Sequence, residues 1–188
     1  MTSGLTAVTR AERTDAQVVR DVLSGDRDAY RLLVRRYGDT LHAHALRMTG
    51  SHDEAADLTQ RAFVKGFRKL RSCREPERVG AWLFRIVSNL CRDHLRSRKS
   101  EVSLAHVGGY LRAASDPEAD ADAAEVRRKV WAALDTLTPE QKEAFVLKHV
   151  EGRSYEEIAA VTDASVTSLR MRVHRARDAL RGLLEEYA

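Results

Sequence analysis

Along this chain a Ser or Thr stands three residues ahead of a Glu or Gln just before an apolar run at Ser51 with Glu54, at Thr138 with Gln141 and at Ser154 with Glu157. In such a capping box the hydroxyl accepts from the backbone N–H three residues on, and the longer side chain returns the bond, which marks a helix start. Pro139 sits at the first helical position after Thr138, where its missing N–H costs nothing. Gly50 and Gly152 fall where helices should stop. Between these marks the apolar residues recur at three- and four-residue steps. Tyr30, Leu33, Val34, Tyr37, Leu41, Ala45 and Met48 form one stripe; Leu58, Ala62, Phe63, Phe67 and Leu70 form the next; Trp82, Leu83, Ile86, Val87, Leu90 and then His94 or Leu95 form a third. No segment alternates as a strand would, so the fold class is all-α.

The stripes stop near Ser97. From there to Asp122 the chain carries Gly108-Gly109, Asp116-Pro117 and a run of alternating acid and Ala, with no sustained period. We read residues 1–14 as a tail, 15–98 as one small helical domain, 99–124 as an acidic, flexible linker and 125–188 as a second helical domain. In the second domain Val126, Val130, Trp131 and Leu134 resume the helical spacing, and Ala144, Phe145, Leu147 and Val150 follow. With 32 Lys and Arg against 28 Asp and Glu, the net charge of +4 says little, and its distribution says more. Arginine concentrates at 85–98 and at 170–181, on either side of the acidic stretch 116–125. No run reaches the ~18 apolar residues of a membrane span, and residues 1–13 lack a signal-peptide core. The expected compartment is the cytoplasm, with no membrane insertion.

The end of the chain reads as a helix-turn-helix. A short helix with Ile158, Ala159 and Val161 is followed by a break at 162–165 and a final helix with Val166, Leu169, Val173, Ala176, Leu180 and Leu183 inward. That stripe leaves Thr167, Ser168, Arg170, Met171, His174, Arg175 and Asp178 outward, with Arg172 and Arg177 on the flanks. Arg can pair with a guanine edge through two hydrogen bonds, while Ser, Thr and further Arg hold phosphates. A basic second helix after a capped turn therefore points to duplex DNA.

These segments resemble a known family. The stretch from Leu137 to Ala159, opening Leu-Thr-Pro-Glu-Gln and closing Ser-Tyr-Glu-Glu-Ile-Ala, resembles domain four of bacterial sigma factors, as does the helix from Ser165 onward. Asp57-Leu-Thr-Gln-Arg-Ala-Phe63 and the run from Ala81-Trp82 through Asn89 to Arg96 resemble domain two. The passage from one to the other across a linker alone resembles the extracytoplasmic-function (ECF) group. The resemblance implies binding to core RNA polymerase, through its β′ clamp helices and β flap, with Asp57, Gln60, Arg61 and Phe63 on the clamp-facing side. It implies reading and melting of the −10 promoter element by Trp82, Arg85, Asn89, Arg92 and Arg96, with Arg98 and Lys99 extending the groove and the loop 72–79 holding a flipped base. It implies docking at the −35 element by Ser168, Arg170, Met171, Arg172, His174, Arg175 and Arg177. An anti-sigma factor is a further implied partner. Arg61 and Ala56 stand where acidic residues are common in the family, Met171 where a small polar residue is, and Asp163 where the turn often has Gly.

Trp82, Phe63 and Phe67 also suit plain core positions, and Asn89 a local hydrogen bond. His42, His44, His52, His106 and His149 form no ligand-like group and suit surface or packing roles. No nucleophile–base pair, phosphate loop or carboxylate pair suggests an enzyme, and no cofactor is expected. A helix-turn-helix regulator that binds duplex DNA without polymerase is the nearest alternative. A zinc or redox protein built on Cys73, Cys91 and His94 is a second, although Cys91 and His94 alone make too few ligands for a metal.

Overall fold

The structure is a computed structural model describing residues 13–104 and 130–185, and every regular element among them is helical. The first helix, α1 (Asp15–Leu23), was not foreseen as a separate element, yet it carries its own capping box: Thr14 Oγ accepts from Gln17 N, and Gln17 accepts from Thr14 N at 2.7 Å. A turn through Gly25 and a short 3-10 segment, Arg27–Ala29, leads into α2 (Tyr30–Thr49). Gly50 ends α2 in the left-handed region, at φ +74°, as a C-terminal glycine should. Ser51 then caps α3 (His52–Lys69), its hydroxyl accepting from Glu54 N at 3.4 Å. After two 3-10 turns, Leu70–Ser72 and Pro76–Arg78, α4 runs from Val79 to Leu104.

That last bound corrects the sequence reading. The chain stays helical through Ser97 and on to Leu104, past the point where the apolar stripe fades. The acidic stretch 116–125 and the tail before Arg13 lie outside the described residues.

Helices α2, α3 and α4 wrap around Leu33, Leu41, Ala45, Met48, Leu58, Ala62, Leu83, Val87 and Cys91, all buried. The approach of α3 to its neighbours depends on Gly66: a Cβ there would meet Leu83 Cδ2 at 2.6 Å and the Tyr30 hydroxyl at 2.8 Å. Tyr30 uses that hydroxyl to donate to the Phe63 carbonyl at 2.9 Å.

The C-terminal group comprises α5 (described over 130–136), α6 (Pro139–Phe145), a π turn at Val146–Val150, α7 (Tyr155–Thr162) and α8 (Val166–Glu185). The Thr138 and Ser154 capping boxes are both formed with both bonds in place. The π turn closes with Glu151 N donating to the Val146 carbonyl, five residues back, at 2.9 Å.

The two groups are docked. Ala144, Val146, Leu147, Ile158 and Val161 join the same buried cluster as the α2–α4 core, while Ala133, Leu134, Leu137, Ala176 and Leu180 form a smaller one of their own. Trp131 lies against the α2–α3 turn, where a Cβ on Gly50 would be 3.2 Å from its ring.

Candidate nucleic-acid interface

Asp163 makes the turn of the helix-turn-helix. It is the C-cap of α7 and the sole non-glycine residue with positive φ among the described residues, at +55°. Asp tolerates this left-handed conformation better than most residues, which is how it replaces glycine here. Ser165 Oγ then accepts from Ser168 N at 3.2 Å and starts α8. Leu169, Val173, Ala176 and Leu180 are buried, so Arg170, Met171, His174, Arg175 and Arg177 are exposed and Ser168 and Arg172 half-buried. The seven residues expected at duplex DNA thus all lie on α8, five exposed and two half-buried. The Arg170 guanidinium sits 5.5 Å from the centre of the Tyr155 ring, and Lys148 Nζ 4.8 Å from it. His174 Nδ1 pairs with Asp178 at 2.7 Å. Among the described residues no carboxylate pairs with Arg170, Arg172, Arg175 or Arg177.

The second basic helix, α4, is differently placed. Trp82 is half-buried over Gly66 and packs against the core. Arg85 donates to the Ala160 carbonyl at 2.8 Å and pairs with Asp163 at 3.1 Å. Arg92 pairs with Glu143 at 3.3 Å and also donates to the Asn89 amide oxygen. Arg96 reaches Glu140, Arg98 reaches Asp135, and Lys99 donates to the Leu137 carbonyl. The expected strand-binding residues Arg85, Asn89, Arg92 and Arg96 do share a face, and α6, α7 and the turn at Asp163 pack against it while leaving Arg96 exposed.

Two pairs are deeply buried in this seam. Glu143 is 1% exposed and Arg92 has a side-chain exposure of 14%. Burial pushes the Glu143 carboxyl above its ordinary value in spite of Arg92, and its Oε1 has no hydrogen-bond partner. In the other, His44 lies wholly buried between Glu151, 2.9 Å from Nδ1, and Ser88, 3.1 Å from Nε2. Burial alone would raise Glu151, but His44, Arg153 and Arg47 together hold it below the ordinary carboxylate range. The guanidinium of Arg153 stacks 4.1 Å from the Phe84 ring and pairs with Glu151 at 3.0 Å. Ser88, His44 and Glu151 have the connectivity of a hydrolase triad, yet Ser88 and His44 are both 0% exposed, so no acyl substrate can reach the hydroxyl. The arrangement ties the two helical groups together.

Sequence reasoning missed these acids and gave His44 only a packing role. Its position was visible: His44 falls three residues after Leu41 and four before Met48, on the apolar stripe of α2. Glu143 likewise precedes Leu147 by four residues on the buried side of α6.

On α3, Asp57, Gln60 and Arg61 are exposed beside Val64, and Asp57 pairs with Arg61 at 3.2 Å. Phe63 does not belong to that face. It is 8% exposed and meets Tyr30 edge-on, with ring centres 6.5 Å apart, because the helical step from Ala62 turns it inward. Cys73 and Cys91 are both buried and free. Burial pushes the Cys91 thiol up to about 12, which leaves it an unreactive core residue. His94 Nε2 stands 3.3 Å from Glu54. Among the described residues no three His, Cys, Asp or Glu side chains converge as metal ligands, and no helix is long and apolar enough to cross a membrane.

Comparison with known proteins assigns both halves. Residues 33–101 match the Sigma-70 region 2 family and residues 127–180 match Sigma-70, region 4. The chain is 34% identical over 177 residues to the ECF RNA polymerase sigma-E factor of Escherichia coli K12, spanning 89% of this chain and 92% of that one. It is 32% identical over 182 residues to the sigma-E factor of Haemophilus influenzae, spanning 92% and 96%. Among solved structures it is similar to CnrH in complex with the cytosolic domain of CnrY, with a TM-score of 0.63 and 29% identity over 93% of this chain and 99% of that one. It is also similar to the sigma factor RpoE in complex with the anti-sigma factor NepR from Bartonella quintana, with a TM-score of 0.62 and 28% identity over 83% and 96%. With both regions matched in order and the relatives covered nearly end to end, the chain belongs to the ECF group of RNA polymerase sigma factors.

Proposed function

We propose that this sigma factor recruits core RNA polymerase to a two-part promoter, with α8 anchoring the upstream element and α4 nucleating strand opening at the downstream one. Its class is an RNA polymerase-associated promoter-recognition factor. The observation that carries the division of labour is the outward row Arg170, Met171, His174 and Arg175 on the second helix of a capped helix-turn-helix. A helix of this kind enters a major groove, and its arginines reach base edges and phosphates. Arg85, Asn89, Arg92 and Arg96 suit an unstacked strand, where amide and guanidinium groups meet base edges and phosphates. Asp57, Gln60 and Arg61 form the polymerase-facing side through the β′ clamp helices, with region 4 meeting the β flap.

The partner list extends to an anti-sigma factor, since RpoE was solved in complex with the anti-sigma factor NepR. Two separately anchored regions give a bipartite site its affinity: each contact is weak alone and strong once polymerase fixes the other. The test is in vitro transcription with purified core polymerase across a promoter library, with footprinting. An asymmetric footprint that needs polymerase is the expected result. Symmetric duplex binding without polymerase, and no promoter-dependent transcript with it, would point instead to a helix-turn-helix regulator.

A further inference from the structure

On α8 the buried residues Leu169, Val173, Ala176 and Leu180 fix which side of the helix can enter a groove. At 3.6 residues per turn each step rotates the chain by about 100°, so a residue two steps past Leu169 points about 200° away from it. That residue is Met171. Ser168 and Arg175 lie about 60° and about 40° to one side of its direction, and His174 about 60° to the other. Met171 therefore stands on the crest of the outward face, and it is 51% exposed.

Its neighbours are differently engaged. The Arg170 guanidinium leans towards α7, 5.5 Å from the centre of the Tyr155 ring, and His174 Nδ1 pairs with Asp178 at 2.7 Å. A thioether in this row of cations does nothing for a phosphate, since it offers neither charge nor a hydrogen-bond donor. Against a duplex, however, the crest residue is the one that reaches the groove floor. The base edges there are hydrogen-bonding groups with one apolar exception, the C5-methyl group of thymine. An unbranched, polarizable side chain with three rotatable bonds can lie against such a methyl.

We propose that Met171 is a specificity-determining residue that reads a thymine methyl group in the upstream duplex, so that the promoter carries a thymine, on one strand or the other, opposite the second turn of α8. Any other base there sets a polar edge against a side chain that offers at most a weak acceptor, and the lost hydration of that edge goes uncompensated. The inference rests on the reading of α8 as the upstream anchor and names the chemical group at its centre.

The test uses the holoenzyme of the full chain with core polymerase, on promoters selected from a library randomised across the upstream element. The selected elements should contain thymine. Each thymine is then replaced in turn by deoxyuridine, which pairs identically and lacks only the methyl group, and competition against a labelled promoter fragment gives the relative affinity. At one position the replacement should weaken retention about fourfold, the worth of burying one methyl group. With Met171→Ala, an exposed substitution that leaves the packing of α8 alone, thymine and deoxyuridine should be retained alike at that position. The four combinations of protein and base form a double-mutant cycle, which cancels any effect of deoxyuridine on the duplex itself. The proposal is overturned if the selected elements hold no thymine, if no position responds to loss of its methyl, or if the response survives in Met171→Ala. Arg175→Ala in the same assay separates these failures from that of the underlying reading. Weaker retention with Arg175→Ala beside any of them rejects the methyl contact and leaves α8 as the anchor. Unchanged retention with both Arg175→Ala and Met171→Ala rejects α8 as the anchor and the methyl contact with it.

Discussion

Helices α4 and α8 are both rows of arginine on an amphipathic helix, and in the folded chain they are opposites. On α8, Arg170, Arg172, Arg175 and Arg177 meet no carboxylate among the described residues, and Met171 stands 51% exposed among them. On α4, Arg85, Arg92, Arg96 and Arg98 each meet an acid from the other half of the molecule. The same side chain thus stands without an acidic partner in one helix and acts as a joint between regions in the other. What separates them is what packs alongside. The partners of α8 present their apolar sides to it, Ile158 and Val161 with Leu169 and Val173, whereas α6 and the α7 C-terminus present Glu140, Glu143 and Asp163 to α4.

The sharpest way to break this comparison is one substitution made in both helices. Arg92→Ala leaves Glu143 buried and unpaired, and removal of one member of a buried pair costs about 3–5 kcal/mol. Arg175→Ala removes an exposed side chain and should change stability by no more than about 0.5 kcal/mol. Urea unfolding of the two variants measures both. Equal losses would mean that α4 and α8 are not differently held.

Much of this was legible in the sequence, because helix starts and stops are local. The boxes at Thr138 and Ser154, the stops at Gly50 and Gly152 and the inward stripe of α8 all depend on residues within a turn or two of one another. The pairing of α4 is not local. His44 meets Glu151 across 107 positions, and Arg85 meets Ala160 across 75. A charge run shows which side chains are available for pairing and leaves their partners open. The inward turn of Phe63 is a smaller case. The resemblance puts Phe63 with Asp57, Gln60 and Arg61, but at this helical step the ring belongs to the core beside Tyr30.

A second test sharpens the functional side of the comparison. In the holoenzyme, Arg175→Ala should weaken retention of the upstream duplex by about 1–3 kcal/mol if it reads a base, or reduce the salt slope by about 1 if it holds a phosphate. Arg96→Ala should leave upstream retention unchanged and slow strand opening, as should Asn89→Ala, read by permanganate footprinting of unpaired thymines. Loss of upstream retention with Arg96→Ala, or normal opening with Asn89→Ala, would reverse the roles given to the two helices.

The smallest effect lies inside the seam, where two glutamates shift in opposite directions. Burial raises the Glu143 carboxyl above its ordinary value despite Arg92, so the folded chain keeps this proton at a pH where the unfolded chain has released it. The stability linked to that proton is complete below the ordinary carboxylate pKa and is lost as pH rises through the raised folded value. Glu151 runs the other way. Burial works against its charge, but His44, Arg153 and Arg47 hold its carboxyl low, so its contribution is present above the ordinary pKa and is lost as pH falls through the folded one. Glu143→Gln should therefore flatten the decline in urea midpoint as pH is raised from the ordinary carboxylate range towards neutrality. Glu151→Gln should leave that limb alone and flatten the acid limb below it. Because Arg175 is exposed and acts on neither glutamate, Arg175→Ala should alter neither limb. A wild-type profile that kept both limbs in Glu143→Gln and Glu151→Gln would place the pH response outside the seam and remove the electrostatic distinction between the two helices.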